Sequence, residues 1–326
     1  MKKFVTISLI LMGCLFAECF FDTKSNTNCD RQELHTRYVF ISPSGSVNYR
    51  GMIANGICKA DEALKTDTEL IACTDMEAIQ EQIARSIYAK VDGIMISGIQ
   101  YTETLANSID EARSQNIPVV LVDQKAEGLN CDGYFGINNY EAGKMAGERF
   151  VESVCTETHI VVLLNSLKSK NQQERLEGFQ DAIYKNSDIT LEAVVEGEGD
   201  YLMLRERVLE ILNKDSKINA FFCAEATSTV YLQMILESLG RLDDMKIIGF
   251  DMAENSLDYV KSGDYEALIV QDTEAMGYEA VKYLETYRKG EALGGKEQYA
   301  DVEIIDQNNV NQYEQIEMED TVWKLY

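Results

Sequence analysis

The chain has 326 residues, of which 45% are hydrophobic and 26% are charged, and its 55 acidic and 30 basic residues give a net charge of −25. This length and ordinary globular composition favour two domains. The acidity argues against nucleic acid as a partner, because binding phosphates requires a basic face. We therefore expect a two-domain protein whose acidic residues mainly form a solvated surface.

The beginning of the chain has the layout of an export signal. Two lysines precede the apolar run FVTISLILM, which is too short to span a bilayer. Residues 11–14 (LMGC) resemble a bacterial lipobox, which implies a signal peptide over 1–13 and a lipid on Cys14; the alternative is an ordinary signal cut nearby. Residues 14–37 are predicted to form a flexible polar tether. The expected product is an exported lipoprotein, anchored to a membrane at the cell surface or in the periplasm.

The eight cysteines do not indicate a metal site. No two of them have Cys-x-x-Cys spacing, and neither histidine stands beside one, so we predict no zinc. Cys58 and Cys73 flank a helix-to-strand passage, and either a disulfide or two buried free thiols fits their positions.

From Tyr38 onward, short apolar runs alternate with amphipathic stretches of helical length. This alternation predicts the α/β class, with parallel sheets covered by helices on both faces. The helix beginning at Met76 is expected to have Thr74 or Asp75 as its N-cap. Strands are predicted over 38–42, 68–73, 92–97, 117–122, 134–137, 158–164, 189–195, 218–223, 245–250, 265–270 and 302–305.

Polar side chains follow most of these strands, at the edge where an open α/β sheet places its ligand contacts. Carboxylates accept hydrogen bonds from neighbouring hydroxyl groups, and amides both donate and accept, so the set suits a carbohydrate or polyol. The alternative is that polar residues end strands simply because turns begin there. The residues are Ser42, Ser97, Asp123, Asn138, Asn165, Glu225, Asp251 and Gln271.

Catalysis finds little support in the sequence. His35 lies in the predicted tether and His159 begins a strand, so neither is placed to act as a general base. The chain contains no Gly-x-Ser-x-Gly elbow and no Walker-type phosphate loop. The sequence Gly197-Glu198-Gly199 lacks the third glycine of a dinucleotide-binding loop. We predict no enzymatic activity, no cofactor and no bound metal.

Six motifs, in this order and spacing, resemble those of type I periplasmic sugar-binding proteins, the ribose/galactose group that includes the ligand cores of LacI-type repressors. The resemblance implies two Rossmann-like lobes that are joined by a three-stranded hinge and close around a ligand. The motifs are VDGIMIS (91–97), EARSQNIPVVLVDQ (111–124), GINNYEAGKMAGE (136–148), QERLEGFQDAI (173–183), IIGFD (247–251) and LIVQDTEAMGYEAV (268–281).

The same resemblance implies that each lobe is discontinuous in sequence. The N-terminal lobe is expected to comprise residues 38–137 and 272–305. The C-terminal lobe and tail are expected to comprise residues 138–271 and 306–326. The chain then crosses between the lobes near 137/138, 271/272 and 305/306.

The resemblance also assigns ligand-binding roles to residues of this chain. It implies that Asp123 is the acid that holds sugar hydroxyls and that Asn139 is the asparagine just after the hinge. It also implies that the Phe250 ring and the Asp251 carboxylate act as a pair, and that Gln271 is the glutamine beside the second crossing. Tyr49 and Tyr201 are the aromatic rings expected to stack on the sugar.

Three departures from the family pattern make the expected cleft more acidic. Gln124 replaces an arginine, Gln173 replaces the first arginine of an Arg-x-Arg motif, and Glu225 replaces an asparagine. Like charges in a closing cleft repel one another and raise pKa values, so something must compensate. Either Arg50 or Lys170 supplies that charge, or the ligand is itself cationic, such as an amino sugar.

We expect a monomeric solute receptor that delivers a sugar, polyol or amino sugar to an ABC importer. The alternative is a ligand-sensing lipoprotein that signals to a membrane histidine kinase or chemoreceptor. A LacI-type repressor is disfavoured, because the chain starts with a signal in place of a helix-turn-helix.

Overall fold

The computed structural model describes residues 36–44, 47–153, 156–253, 255–291 and 294–313. The predicted signal, Cys14 and residues 314–326 lie outside these residues. Thr36 and Arg37, which were predicted to end the tether, belong instead to the first strand. Within the described ranges, no helix combines the length and apolar character that a membrane span requires.

Twelve strands and nine helices form the described part of the chain. The strands are β1 Thr36–Pro43, β2 Thr66–Cys73, β3 Gly93–Ser97, β4 Val119–Val122, β5 Gly133–Gly136, β6 Thr158–Leu164, β7 Ile189–Glu196, β8 Ala220–Cys223, β9 Lys246–Phe250, β10 Ala267–Gln271, β11 Glu297–Tyr299 and β12 Val302–Ile305. The helices are α1 Val47–Leu64, α2 Met76–Ala89, α3 Glu103–Ser114, α4 Asn139–Ser153, α5 Lys170–Ile183, α6 Tyr201–Lys214, α7 Ala226–Leu239, α8 Ser256–Ser262 and α9 Thr273–Lys289.

The eleven predicted strands are all present, and β11 is an additional one. Its sequence, Glu-Gln-Tyr, lacks the apolar run by which the others were found. The predicted cap of α2 is also present: the Asp75 carboxylate accepts a hydrogen bond from the Ala78 N–H at 2.8 Å. Cys58 and Cys73 are free thiols rather than a disulfide.

The strands form two six-stranded sheets with the same spatial order. The first is β11-β5-β4-β3-β1-β2, and the second is β12-β10-β9-β8-β6-β7. All pairs in the first sheet are parallel, whereas β12 runs antiparallel to β10 at the edge of the second. We call the first sheet with α1, α2, α3 and α9 the first lobe, and the second sheet with α4 to α8 the second lobe.

Residues 302–305, predicted to lie in the first lobe, belong to the second because they pair with β10. The third crossing is therefore at Ala300–Asp301 rather than near 305/306. The Ala300 N–H donates to the Gly136 carbonyl at 2.7 Å, and the Asp272 N–H donates to the Asp301 carbonyl at 3.0 Å. These hydrogen bonds link the third crossing to the other two at the hinge.

Alternate residues along each strand face opposite sides of its sheet, so each sheet is buried on both faces. One continuous apolar core joins the α1/α9 side of the first lobe, with Tyr38 and Phe40, to the α4/α5 side of the second, with Phe179 and Phe222. The opposite face of each sheet has a core of its own.

Glycines allow the helices over the shared core to approach closely. A Cβ atom added at Gly143 on α4 would lie 1.9 Å from the Arg175 carbonyl oxygen on α5. In the first lobe, a Cβ atom added at Gly56 on α1 would lie 1.9 Å from the Glu274 carbonyl oxygen on α9. Neither position has room for a side chain. The first of these contacts also fixes the backbone of Arg175.

Candidate functional site

Asp123 and Asp251 occupy equivalent places in the two lobes, directly after β4 and β9. Their backbone N–H groups donate to carbonyls of the neighbouring strands, at 2.7 Å to Phe135 and at 2.8 Å to Ile269. Both residues have left-handed backbone angles, with φ of +67° and +61°. This conformation costs an L-residue roughly 1 kcal/mol, so surrounding contacts must hold each turn in place.

In the first lobe, Asp123 is bound through both its side chain and its backbone. Its Oδ1 accepts a hydrogen bond from the Tyr49 hydroxyl at 2.7 Å. Its carbonyl oxygen accepts from the Tyr134 hydroxyl at 2.9 Å and from Asn171 Nδ2, in the second lobe, at 3.1 Å. Burial raises the pKa of Asp123, opposed by the Tyr49 hydrogen bond and the charge of Arg175.

In the second lobe, Asp251 is 8% exposed, and its Oδ1 accepts from Gln271 Nε2 at 2.9 Å. Burial raises its pKa to about 7, against the lowering effects of Arg175 and Gln271. The charges of Asp123 and Glu225 raise it further. The Oε1 atom of Gln271 is buried and has no hydrogen-bond partner among the described residues, so it can accept from a ligand.

Arg175 provides the positive charge beside these acids. Its guanidinium carbon lies 3.6 Å from the centre of the Phe250 ring, and the side chain is 4% exposed. Its Nε donates to Asn139 Oδ1 at 2.9 Å, and Nη1 donates to the Ala224 carbonyl at 2.8 Å. The stacked ring and these two hydrogen bonds fix the plane of the guanidinium.

The two lobes meet at this cluster. Burial raises the pKa of the Tyr49 hydroxyl well above its ordinary value, and the charges of Asp123 and Asp251 add to the effect. Tyr49, on α1, therefore lies within the electrostatic reach of an acid from each lobe. Of the predicted ligand residues, the structure brings together Tyr49, Asp123, Asn139, Phe250, Asp251 and Gln271.

Glu225 has a structural partner that the sequence interpretation did not foresee. Its Oε2 accepts from the Thr227 N–H at 2.7 Å, while Oε1 accepts from the Ser228 N–H at 2.6 Å and from the Ser228 hydroxyl. The carboxylate therefore caps the N-terminus of α7, where the helix dipole favours negative charge. Its charge still reaches Asp251, but its oxygen atoms are engaged by the helix.

Two other predicted residues make contacts within the second lobe. Gln173 donates from Nε2 to the Leu167 carbonyl. The Tyr201 ring packs edge-to-face on Tyr231, with the ring centres 5.5 Å apart. These contacts do not connect either residue to the cluster, and their ligand-binding roles stay predictions.

The remaining predicted residues have different surroundings. Gln124 is half-buried, and its N–H donates to the Val122 carbonyl at 2.8 Å, which tightens the turn at Asp123. Arg50 is buried, and the burial lowers its pKa. Lys170 pairs with Glu127 of the first lobe at 3.3 Å. The sequence left the compensating charge to Arg50, to Lys170 or to a cationic ligand; at Asp123 and Asp251 the structure places the positive charge of Arg175, and the roles of Arg50 and Lys170 toward a ligand stay predictions.

The cluster combines acceptors, amides and one planar cation, which suits the recognition of a polyhydroxylated molecule. Carboxylate oxygens accept hydroxyl protons, and the guanidinium donates along fixed directions. In the part of the chain that the structure describes, no group of three or more His, Cys, Asp or Glu residues is arranged to hold a metal ion.

The sequence of the chain is similar to a known protein family and to sugar-import binding proteins. The profile of the periplasmic binding protein domain matches residues 38–292. A D-apiose import binding protein from Actinobacillus succinogenes is 23% identical over 277 residues, which cover 82% of this chain and 87% of that protein.

Two solved structures are similar to this chain over most of its length. GanP, a glucose-galactose binding protein from Geobacillus stearothermophilus, is 27% identical with a TM-score of 0.77, covering 84% of this chain and 98% of its own. A sugar-binding protein of a sugar ABC transporter from Bacillus halodurans is 27% identical with a TM-score of 0.78, covering 85% of this chain and 99% of its own.

Proposed function

The chain belongs to the periplasmic binding protein family, and on this premise we propose that it is an exported receptor that closes around a sugar and delivers it to an ABC importer. One observation carries this proposal. Asp123 and Asp251, at equivalent strand ends of the two lobes, both lie within electrostatic reach of one buried guanidinium, that of Arg175, and form one cluster with it. Such a cluster holds a ligand by hydrogen bonds from both sides, and closure excludes the water that would compete for them.

We propose a neutral sugar as the ligand. The hypothesis of a cationic ligand rested on acids without a compensating charge, and Arg175 supplies one. Because the Glu225 carboxylate caps α7, the helix N-terminus partly balances its negative charge, and less compensating charge is needed in the cleft. The similar proteins named for D-apiose and for glucose and galactose make pentoses and hexoses the first candidates.

The site requires no chemical step, and we propose that the protein is not an enzyme. The cluster provides hydrogen-bonding groups for binding, and the imported sugar leaves unchanged. We further propose that the protein acts as a monomer and is tethered through a lipid on Cys14. Mass spectrometry of the mature N-terminus tests the tether, since Cys14→Ala is expected to remove the lipid and release the protein from membranes.

Calorimetry against ribose, apiose, arabinose, glucose, galactose and their amino analogues tests the binding function. We expect a neutral sugar to bind and to raise the melting temperature of the wild type. Asp123→Ala should abolish this rise and leave the melting of the free protein little changed, because the apolar strands are untouched.

Asp67→Ala is the matched control, because Asp67 is an exposed aspartate on β2 of the same lobe. It should behave as the wild type. Full affinity in Asp123→Ala would contradict the site, and binding of amines alone would contradict the neutral ligand.

A further inference from the structure

Asn171 joins the two lobes through its side-chain amide. It lies in the first turn of α5 and is 7% exposed. Its Nδ2 donates to the Asp123 carbonyl at 3.1 Å, and its Oδ1 accepts from the Lys125 N–H at 3.4 Å. Both partners are backbone groups of the first lobe, so one amide pairs with a donor and an acceptor across the cleft.

Among the described residues, the partners of the neighbouring amides on α5 all lie within the second lobe. Gln172 Oε1 accepts from the N–H groups of Asn165 and Ser166, at 2.6 and 3.2 Å. Gln173 donates to the Leu167 carbonyl. The hydrogen bonding of the Asn171 amide across the cleft is therefore specific to this position and is not shared by the two amides that follow it in the same helix turn.

Lys170 also reaches the first lobe, where it pairs with Glu127. That ion pair is solvent-exposed on the Glu127 side, and exposed pairs contribute little because water and salt screen them. The buried amide of Asn171 is the more directional of the two contacts, since both its donor and its acceptor are used.

The segment that Asn171 holds contains the principal acid of the first lobe. Asp123 has a φ of +67°, and the Gln124 N–H to Val122 carbonyl hydrogen bond at 2.8 Å closes a tight turn around it. The Asp123 carbonyl accepts from Tyr134 of its own lobe and from Asn171 of the other. Separation of the lobes would remove the second of these donors together with the bond to Lys125.

We propose that Asn171 is a positioning residue that holds the Asp123 turn only while the lobes are together, so that it slows ligand release without touching the ligand. The part of this proposal that concerns ligand release rests on the proposed function. Its physical basis is that two hydrogen bonds are present in the closed arrangement and are exchanged for water on opening, which shifts the equilibrium between the two states.

Release kinetics test the proposal with the sugar that binds the wild type in the panel above. Loss of two hydrogen bonds in Asn171→Ala should weaken binding about tenfold, mostly through faster dissociation. Asn171→Asp keeps the acceptor for Lys125 but places a carboxylate oxygen against the Asp123 carbonyl, and should weaken binding at least as much. Asn186→Ala is the matched control, because in the described part of the chain the Asn186 side chain accepts from the Asp188 N–H, within the second lobe.

Hydrogen exchange provides a second test, measured on the free protein and on the sugar complex. Asn171 protects the Lys125 amide only while the lobes are together, so sugar should slow the exchange of this amide in the wild type and in Asn186→Ala but not in Asn171→Ala. Equal slowing in Asn171→Ala and the wild type, or equal dissociation rates, overturns the role of Asn171. If no sugar in the panel binds the wild type, the proposed function fails and the release role falls with it, whereas binding without any difference between Asn171→Ala and Asn186→Ala overturns the role of Asn171 alone.

Discussion

The two lobes share one framework but support their ligand-facing acids differently. Strand order is the same, and an aspartate with left-handed backbone follows β4 in one lobe and β9 in the other. Asp123 accepts from the Tyr49 hydroxyl, and its carbonyl is bound from both lobes. Asp251 accepts from the Gln271 amide within its own lobe, next to the stacked Arg175.

This difference separates what the repeated fold provides from what individual side chains provide. The framework brings half-buried Asp123 and buried Asp251 together, which alone would be unfavourable because like charges repel. Hydrogen bonds from Tyr49 to Asp123 and from Gln271 to Asp251, together with the charge of Arg175 that both acids share, offset that repulsion. Ligand selectivity is therefore expected to depend on these unrepeated side chains more than on the acids themselves.

Removal of the guanidinium should have the largest effect on binding. Arg175→Met keeps an unbranched side chain against Phe250 but leaves Asp123 and Asp251 without their cation. Removing one member of a buried charge interaction typically destabilises a protein by 3–5 kcal/mol, so we expect the free energy of unfolding to fall by about 4 kcal/mol in urea denaturation and sugar affinity to fall with it in calorimetry. Arg85→Met, at an exposed ion pair on α2, serves as the control. Unchanged affinity in Arg175→Met would show that the acids are balanced by another group.

The next largest effect is expected when a methyl group is added at one of the two close helix contacts, and its consequence for binding should differ between the lobes. Gly143→Ala forces a Cβ atom into the Arg175 carbonyl and should lower the free energy of unfolding by about 3 kcal/mol and also weaken sugar binding. Gly56→Ala makes the same clash with Glu274 in the first lobe, and should lower stability similarly but spare binding. Urea denaturation and calorimetry give the two readouts, and equal loss of affinity in both variants would contradict this distinction.

The pH dependence of stability should carry the signature of Asp251. Its pKa is about 7 in the folded protein and near 3.8 when unfolded, so the folded state binds more protons between these values. Its contribution makes stability fall as pH rises, by about 2 kcal/mol between about pH 5 and pH 7, and then level off. Asp251→Asn should remove this slope in denaturation curves of the free protein. A slope equal to that of the wild type would contradict the assignment.

Glu285 on α9 should show the opposite behaviour in the first lobe. Its carboxylate binds the Arg288 guanidinium and accepts from the Tyr38 hydroxyl at 2.9 Å, and its pKa is lowered to about 2, first by the Arg288 hydrogen bonds. Its stabilisation is present above about pH 4.5 and is lost as pH falls towards 2. Glu285→Gln should cost about 2 kcal/mol at pH 7, less than the full shift implies because Arg288 is partly exposed. An unchanged acid transition would contradict this expectation.

Loss of a single hydroxyl should have the smallest effect. Tyr49→Phe removes the hydrogen bond to Asp123 Oδ1, and we expect sugar affinity to fall by about 1 kcal/mol in calorimetry. Tyr283→Phe is the matched control, because its hydroxyl donates to the Asp132 carbonyl within the first lobe. Equal affinity loss in the two variants would show that Tyr49 has no specific role at the acid.

The strands were predictable because buried parallel strands read as short apolar runs. β11 was not predicted, because Glu-Gln-Tyr is an edge strand without such a run. β12 was predicted as a strand but placed in the wrong sheet, because its sequence does not show which sheet it joins. That choice is fixed by pairing with β10, a contact distant in sequence.

The acids of the site were predictable from their positions after β4 and β9, since parallel strands bring their carboxyl ends to one edge. Arg175 was not, because it lies inside a helix where the sequence does not show which side faces the cleft. The clue was the family's Arg-x-Arg motif, whose second arginine this chain retains at 175. Glu225 was misleading because a carboxylate before a helix has a second use, as its cap.

The short stretch that contains β11 and β12 has a consequence for synthesis. Residues 297–305 supply the outermost strand of both sheets, although every other strand of those sheets is complete by Gln271. Until these residues emerge, a nascent chain presents the apolar strands β5 and β10 as sheet edges, which invite pairing with other chains; the finished edges there are the short, more polar strands β11 and β12. Both halves of the molecule reach their final protection against aggregation together, at the same late moment of translation.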